Sequence, residues 1–95
     1  MIEIIHRVNN TKKLTQISST SGIEIDIRSN NGSLILAHEP NEDGENFEDF
    51  LKNYKHKLLV SNIKEAGIEQ DVINKSRARG IEDFFLLDTE FPFIL

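Results

Sequence analysis

The sequence predicts an α/β domain of parallel βα units with one inserted β-hairpin. Three observations carry this reading. Short apolar runs of strand length alternate with segments of helical spacing, Asn30-Asn31-Gly32 separates two strand-like runs as a tight turn would, and each apolar run ends in polar residues. At 95 residues the chain reads as one domain, 1–95, with room for a single modest core.

Residues 2 to 5 form the first short buried strand. Thr11 is a suitable helix N-cap, Leu14 and Ile17 give the stripe that follows it, and Ser18-Ser19-Thr20-Ser21-Gly22 ends the helix. A strand begins at Ile23. The turn residues Asn30-Asn31-Gly32 tolerate positive φ, so Ser33 to His38 should fold back antiparallel on residues 23 to 29. Residues 40 to 46 read as a polar loop. Asn46 can cap a helix whose Phe47, Phe50, Leu51 and Tyr54 fall at i, i+3, i+4 and i+7, the spacing of one buried stripe. Leu58 to Ile63 is the next strand, Ile68, Val72 and Ile73 mark another helix, and Gly80 stands where a terminating glycine belongs. Phe84 to Leu87 is the last strand.

Composition narrows the partners. Eleven Lys and Arg against sixteen Asp and Glu give a net charge of -5, which argues against nucleic acid, because backbone-phosphate binding needs clustered cations. The absence of cysteine removes disulfides and thiolate metal sites. No apolar run reaches the 18 or so residues of a transmembrane helix, and Met1 to Arg7 lacks the basic and apolar regions of a signal peptide. A cytoplasmic location is therefore expected.

The polar strand endings carry the chemistry. Ile4-Ile5 leads into His6-Arg7, Leu34-Ile35-Leu36-Ala37 into His38-Glu39, Leu59-Val60 into Asn62 and Lys64-Glu65, and Leu86-Leu87 into Asp88. In a parallel sheet such ends gather on one side. Ile23-Glu24-Ile25-Asp26-Ile27-Arg28 alternates with period two, which places three isoleucines on one face and Glu24, Asp26 and Arg28 on the other. That is the pattern of an ordinary half-exposed strand. If both faces are covered, however, two carboxylates about 6.6 Å apart along the strand repel unless a cation joins them. Oxygen ligands suit Mg²⁺ or Ca²⁺, and three histidines without cysteine make structural zinc a poor fit. His6 and His38 can exchange protons near neutrality, and the hairpin should bring His38 across from Glu24 or Ile25. His56, between Lys55 and Lys57, reads as solvent-exposed.

His6-Arg7, Glu24-Ile25-Asp26 and His38 together resemble the histidine-arginine, Glu-x-Asp, histidine pattern of glycerophosphodiester phosphodiesterases, within the phosphatidylinositol phospholipase C-like superfamily. Gly22 to Ile27 and Asn31 to Glu39 are similar to that family's core text, Asn10-Thr11 to part of its Glu-Asn-Thr motif, and Asn62-Ile63-Lys64 to its third-strand motif. The resemblance spans Ile5 to about Phe93. It implies a TIM-type β/α barrel of which the chain supplies only the first half, about four βα units plus the hairpin, since a whole barrel takes about 250 residues. It also implies a divalent metal held by Glu24, Asp26 and Asn62, His6 and His38 as base and acid, and Arg7 and Lys64 on phosphate oxygens. Val8 replaces a usual glycine, Glu39 a usual aspartate, and neutral Asn62 a usual acid, which weakens the expected metal affinity.

The function expected from these residues is metal-dependent phosphodiester hydrolysis or transfer on a glycerophosphodiester-like or phospholipid-headgroup-like substrate. A catalytically silent half-barrel that binds or assembles is the alternative, and a plain α/β interaction domain is a third. The apolar end Phe91-Pro92-Phe93-Ile94-Leu95 leads to the expectation of either a piece of a longer chain or a homo-oligomer that buries its open sheet edges.

Overall fold

A computed structural model describes residues 2–88. The elements in chain order are β1 (Ile4–Ile5), α1 (Thr11–Leu14), β2 (Gly22–Asn30), β3 (Ser33–Leu36), β4 (Glu45–Asn46), α2 (Phe47–Leu51), β5 (Leu58–Ile63), α3 (Glu69–Ala78) and β6 (Phe84–Asp88). The six strands form one mixed sheet in the order β4-β3-β2-β5-β6, with β1 paired to the start of β2.

This sheet overturns the half-barrel expectation. A TIM-type barrel needs parallel neighbours throughout and a helix covering each strand. Here β3 and β4 run antiparallel to their neighbours, and the helices are only four, five and ten residues long. The cause is local. Asn31 and Gly32 take φ of 51° and 82°, the conformation of a type I′ turn, and pair Asn30 with Ser33. The returning strand β3 therefore occupies the edge of β2 on which a further parallel strand would have to lie. The architecture is a small mixed sheet with short helices on one face.

Strand β2 organises the sheet. It pairs with β5 from Gly22↔Leu58 to Ile27↔Ile63 on one edge, and with β1 and then β3 on the other. Its alternation divides the molecule as its sequence predicts. Ile23, Ile25 and Ile27 are fully buried and pack with Leu14, Phe47, Phe50, Leu59, Ile63 and Val72 to make the core. Phe47 and Phe50 each contribute about 1.5–3 kcal/mol by leaving water. The helix that carries them starts where expected, since Asn46 Oδ1 accepts from Asp49 N at 3.0 Å. Gly44 precedes it because a Cβ there would lie 2.1 Å from the Leu36 carbonyl oxygen.

The opposite face holds two cross-strand rows. Glu24, Val60 and Phe85 are neighbours in one, and Asp26, Asn62 and Leu87 in the next. The face is polar at β2 and apolar at β6. Among the described residues no helix is long and apolar enough to cross a membrane. The expected apolar end from Phe91 to Leu95 lies outside the described residues.

Candidate functional site

The polar half of that face gathers the residues singled out in the sequence. Leaving β1, the chain turns at Arg7, whose φ of 52° is left-handed. The turn puts His6 Nδ1 3.3 Å from Glu24 Oε1 and Arg7 N 3.4 Å from the same oxygen. Val8 N then donates to Glu24 O at 2.8 Å, and the valine side chain is buried in the core. From the other side, Ala37 N donates to Asp26 O at 3.0 Å, which extends the hairpin register and places His38 beside the carboxylate of Asp26.

Asp26 is the centre. Its side chain is 2% exposed, with His38 Nδ1 3.4 Å from Oδ2 and Lys64 Nζ 3.6 Å from Oδ1. His38 attracts it by charge when protonated but makes no hydrogen bond through Nδ1. On its outer side His38 Nε2 lies 3.5 Å from Glu39 Oε1, while its carbonyl accepts from Arg28 Nη2 at 2.9 Å. Asn62 stands opposite Asp26 in the ladder, and its Oδ1 is buried without a hydrogen-bond partner. Glu24, Asp26, Asn62, His6, His38 and Lys64 are thus brought together. Arg7 comes with them in sequence, but its side chain makes no hydrogen bond or ion pair among the described residues, and Asp88 ends β6 opposite Ile63 in the ladder.

Comparison with protein-family models, with characterised proteins and with solved structures finds no match. The likeness to the phosphodiesterases consequently stands on the motif residues alone.

The donors fit a hard divalent cation in kind. Two carboxylates and an amide oxygen with an unused lone pair share one face, which is oxygen chemistry of the type Mg²⁺ and Ca²⁺ prefer. They are few. No group of three or more His, Asp or Glu side chains able to hold a metal occurs among the described residues, and the Lys64 ammonium already balances Asp26.

Two features escaped the sequence reading. Asn9 donates through Nδ2 to Asp26 Oδ2 at 3.0 Å and accepts from Asp26 N through Oδ1 at 2.9 Å. Its only sequence signal is its position after His6-Arg7. His56 is not solvent-exposed: it is buried, its Nε2 2.9 Å from the Ile17 carbonyl and its ring 5.7 Å from that of Tyr54. Flanking lysines suggested exposure, and both are exposed, but the imidazole between them is buried against the Ile17 carbonyl in the turn after α1. A groove of about 850 Å³ lies elsewhere, among Ile4, Val60, Ile73, Ile81, Phe85 and Leu87. It is apolar and holds none of the titratable cluster.

Proposed function

We propose that this face is a phosphodiester-processing site in which Glu24, Asp26 and Asn62 hold a divalent cation. One observation carries the proposal: each of two carboxylates on one strand face holds its own histidine, Glu24 with His6 at 3.3 Å and Asp26 with His38 at 3.4 Å, beside the cation Lys64. A bound Mg²⁺ or Ca²⁺ would offset negative charge on the phosphate oxygens and so remove the repulsion expected from an acidic protein.

The chain's own residues supply the proton chemistry. Hydrolysis forms a bond from water oxygen to phosphorus and breaks the bond from phosphorus to the leaving alcohol. One histidine of the pair takes the proton from water, and the other gives a proton to the departing oxygen. The partner carboxylates lie against the rings, Glu24 beside His6 Nδ1 and Asp26 beside His38 Nδ1. His6 is 75% exposed, so it is open to solvent and substrate, whereas His38 is held in a narrower setting between Asp26 and Glu39. Lys64 and Arg7 bind phosphate oxygens, Lys64 by turning from Asp26 as the anion arrives.

A silent binding module is the second reading, favoured by the Lys64–Asp26 pair, which balances the acid without any metal. Turnover of a nitrophenyl phosphodiester with Mg²⁺ or Ca²⁺, and its loss with a chelator, separates the two. His6→Ala and His38→Ala should each lower the rate by about 10²–10⁴-fold. Phosphodiester binding without metal-dependent turnover would leave only the module.

A further inference from the structure

We infer that Asn9 is the positioning residue of the site, a side-chain amide that both completes the β2 ladder and fixes the carboxylate of Asp26. The inference rests on the reading of Asp26 as a cation ligand, and it starts from a gap in the sheet. Around the ends of β1 and β3, the edge of β2 that faces them is met by main chain at three points. Gly22 N is satisfied by Glu3 O at 2.7 Å, Glu24 O accepts from Val8 N, and Asp26 O accepts from Ala37 N, all main chain. The Asp26 N–H falls between the end of β1 pairing at Ile23 and the start of β3 pairing at Ile27. No strand reaches it.

Asn9 fills that gap with its side chain. The Oδ1 atom accepts from Asp26 N at 2.9 Å and the Nδ2 atom donates to Asp26 Oδ2 at 3.0 Å. Both bonds go to one residue, so the two ends of the amide are told apart: oxygen must meet the N–H and nitrogen must meet the carboxylate. The amide then acts as a peptide group would in the ladder, while its second end holds χ1 of Asp26 in one rotamer. Oδ1 of Asp26 is left for Lys64 or for a cation. Of the two acidic side chains, only Asp26 is clamped in this way; Glu24 meets the exposed ring of His6 and a long contact from Arg7 N. Partners that orient a metal ligand typically matter by 10–100-fold in metal affinity.

The test uses the full chain labelled with ¹³C and ¹⁵N. Couplings from Asp26 Cγ to its own main-chain nitrogen and carbonyl carbon report χ1, hydrogen exchange reports the Asp26 N–H, and calorimetry with Mg²⁺ or Ca²⁺ alone reports affinity. The wild type should show one Asp26 rotamer and a protected amide. Asn9→Ala should average the rotamer, expose the amide and weaken metal binding by about 10–100-fold. Asn9→Asp keeps an acceptor for the N–H and removes the donor, so it should restore protection of the amide and leave the rotamer averaged. An averaged Asp26 in the wild type, or a single rotamer kept in either variant, overturns the role given to Asn9. Absence of metal binding by the wild type at millimolar concentration removes the cation from the proposed function, while the couplings still decide whether Asn9 orients Asp26.

Discussion

Glu24 and Asp26 are two residues apart on one strand face, yet they occupy different physical worlds. Asp26 is 2% exposed and is met by Asn9, His38 and Lys64. Glu24 is 15% exposed and faces a histidine that is itself in water. The difference comes from the strands beside them. The segment that follows β3, Ala37-His38, and the segment through Asn9 close over Asp26, whereas β1 ends before it can cover Glu24. A charge whose partners are buried with it depends strongly on them, whereas one paired with a group in water depends on it much less. One centre should therefore be structural as well as functional, and the other functional only.

The strongest way to break that contrast is truncation of each acid. Asp26→Ala leaves Lys64, 13% exposed, without its counter-charge and the Asn9 amide without its acceptor. Removing one partner of a buried pair costs about 3–5 kcal/mol, a large share of the 5–15 kcal/mol by which a domain is stable. Glu24→Ala should cost at most about 1 kcal/mol. Urea melts of the two variants provide the measurement, and equal losses would show that the centres are not distinct in kind.

A second, smaller effect tests whether burial rather than residue type sets the cost. His56 is the buried counterpart of exposed His6, and because a carbonyl only accepts, its Nε2 carries the proton bonded to Ile17 O. Its neighbour Tyr54 has a hydroxyl pKa raised above the ordinary value by burial and then by Asp83, so that the hydroxyl stays neutral at working pH. His56→Ala strands the Ile17 carbonyl and should cost about 1–3 kcal/mol. His6→Ala should leave the melting midpoint unchanged while it lowers turnover. A midpoint that falls equally in both would remove the distinction.

The same contrast explains what was legible in the sequence. β5 is read correctly from Leu58 to Ile63 because the apolar run Leu58-Leu59-Val60, resumed at Ile63, is of strand length and is buried on both faces. The hairpin follows from Asn31-Gly32, and α2 from Asn46 with its apolar stripe. Local chemistry decides those elements. The α1 cap is Asn10, not Thr11: Asn10 Oδ1 accepts from Lys13 N at 2.8 Å, while Thr11 N donates to Glu45 Oε1 at 3.0 Å from across the fold. β4, read as loop, is polar and exists because Gly44 lets its segment approach Leu36. The barrel expectation failed on the hairpin's consequence, since an antiparallel strand occupies an edge that the alternation of elements reserved for a parallel one. Among site residues, Glu24, Asp26, His6 and His38 were visible as types in a pattern. Asn9 was not, because nothing local distinguishes an amide that completes a distant ladder from one in a loop.

The smallest expected effect concerns the far end of β2. On the β5 edge, Glu65 meets Ser29 through both carboxylate oxygens, with Ser29 N at 2.6 Å and Ser29 Oγ at 2.8 Å, much as Asn9 meets Asp26 on the other edge. Hydrogen bonding by the Ser29 main chain, then by its hydroxyl, holds the Glu65 carboxyl below the ordinary glutamate range, against a weaker opposing effect of burial. A depressed folded-state pKa favours the native state above the unfolded pKa, and this contribution is lost as pH falls through the folded value. Glu65→Gln keeps one oxygen acceptor but cannot carry the charge. The stability gap between wild type and variant should be about 1 kcal/mol or less near neutrality, since the carboxylate is well solvated. It should close on acidification below the ordinary glutamate range and shrink with added salt. A gap that persists unchanged at acid pH would mean that Glu65 acts by shape and not by charge, and that the ladder of β2 is finished on this edge, as Asn9 finishes it on the other, by a neutral hydrogen bond.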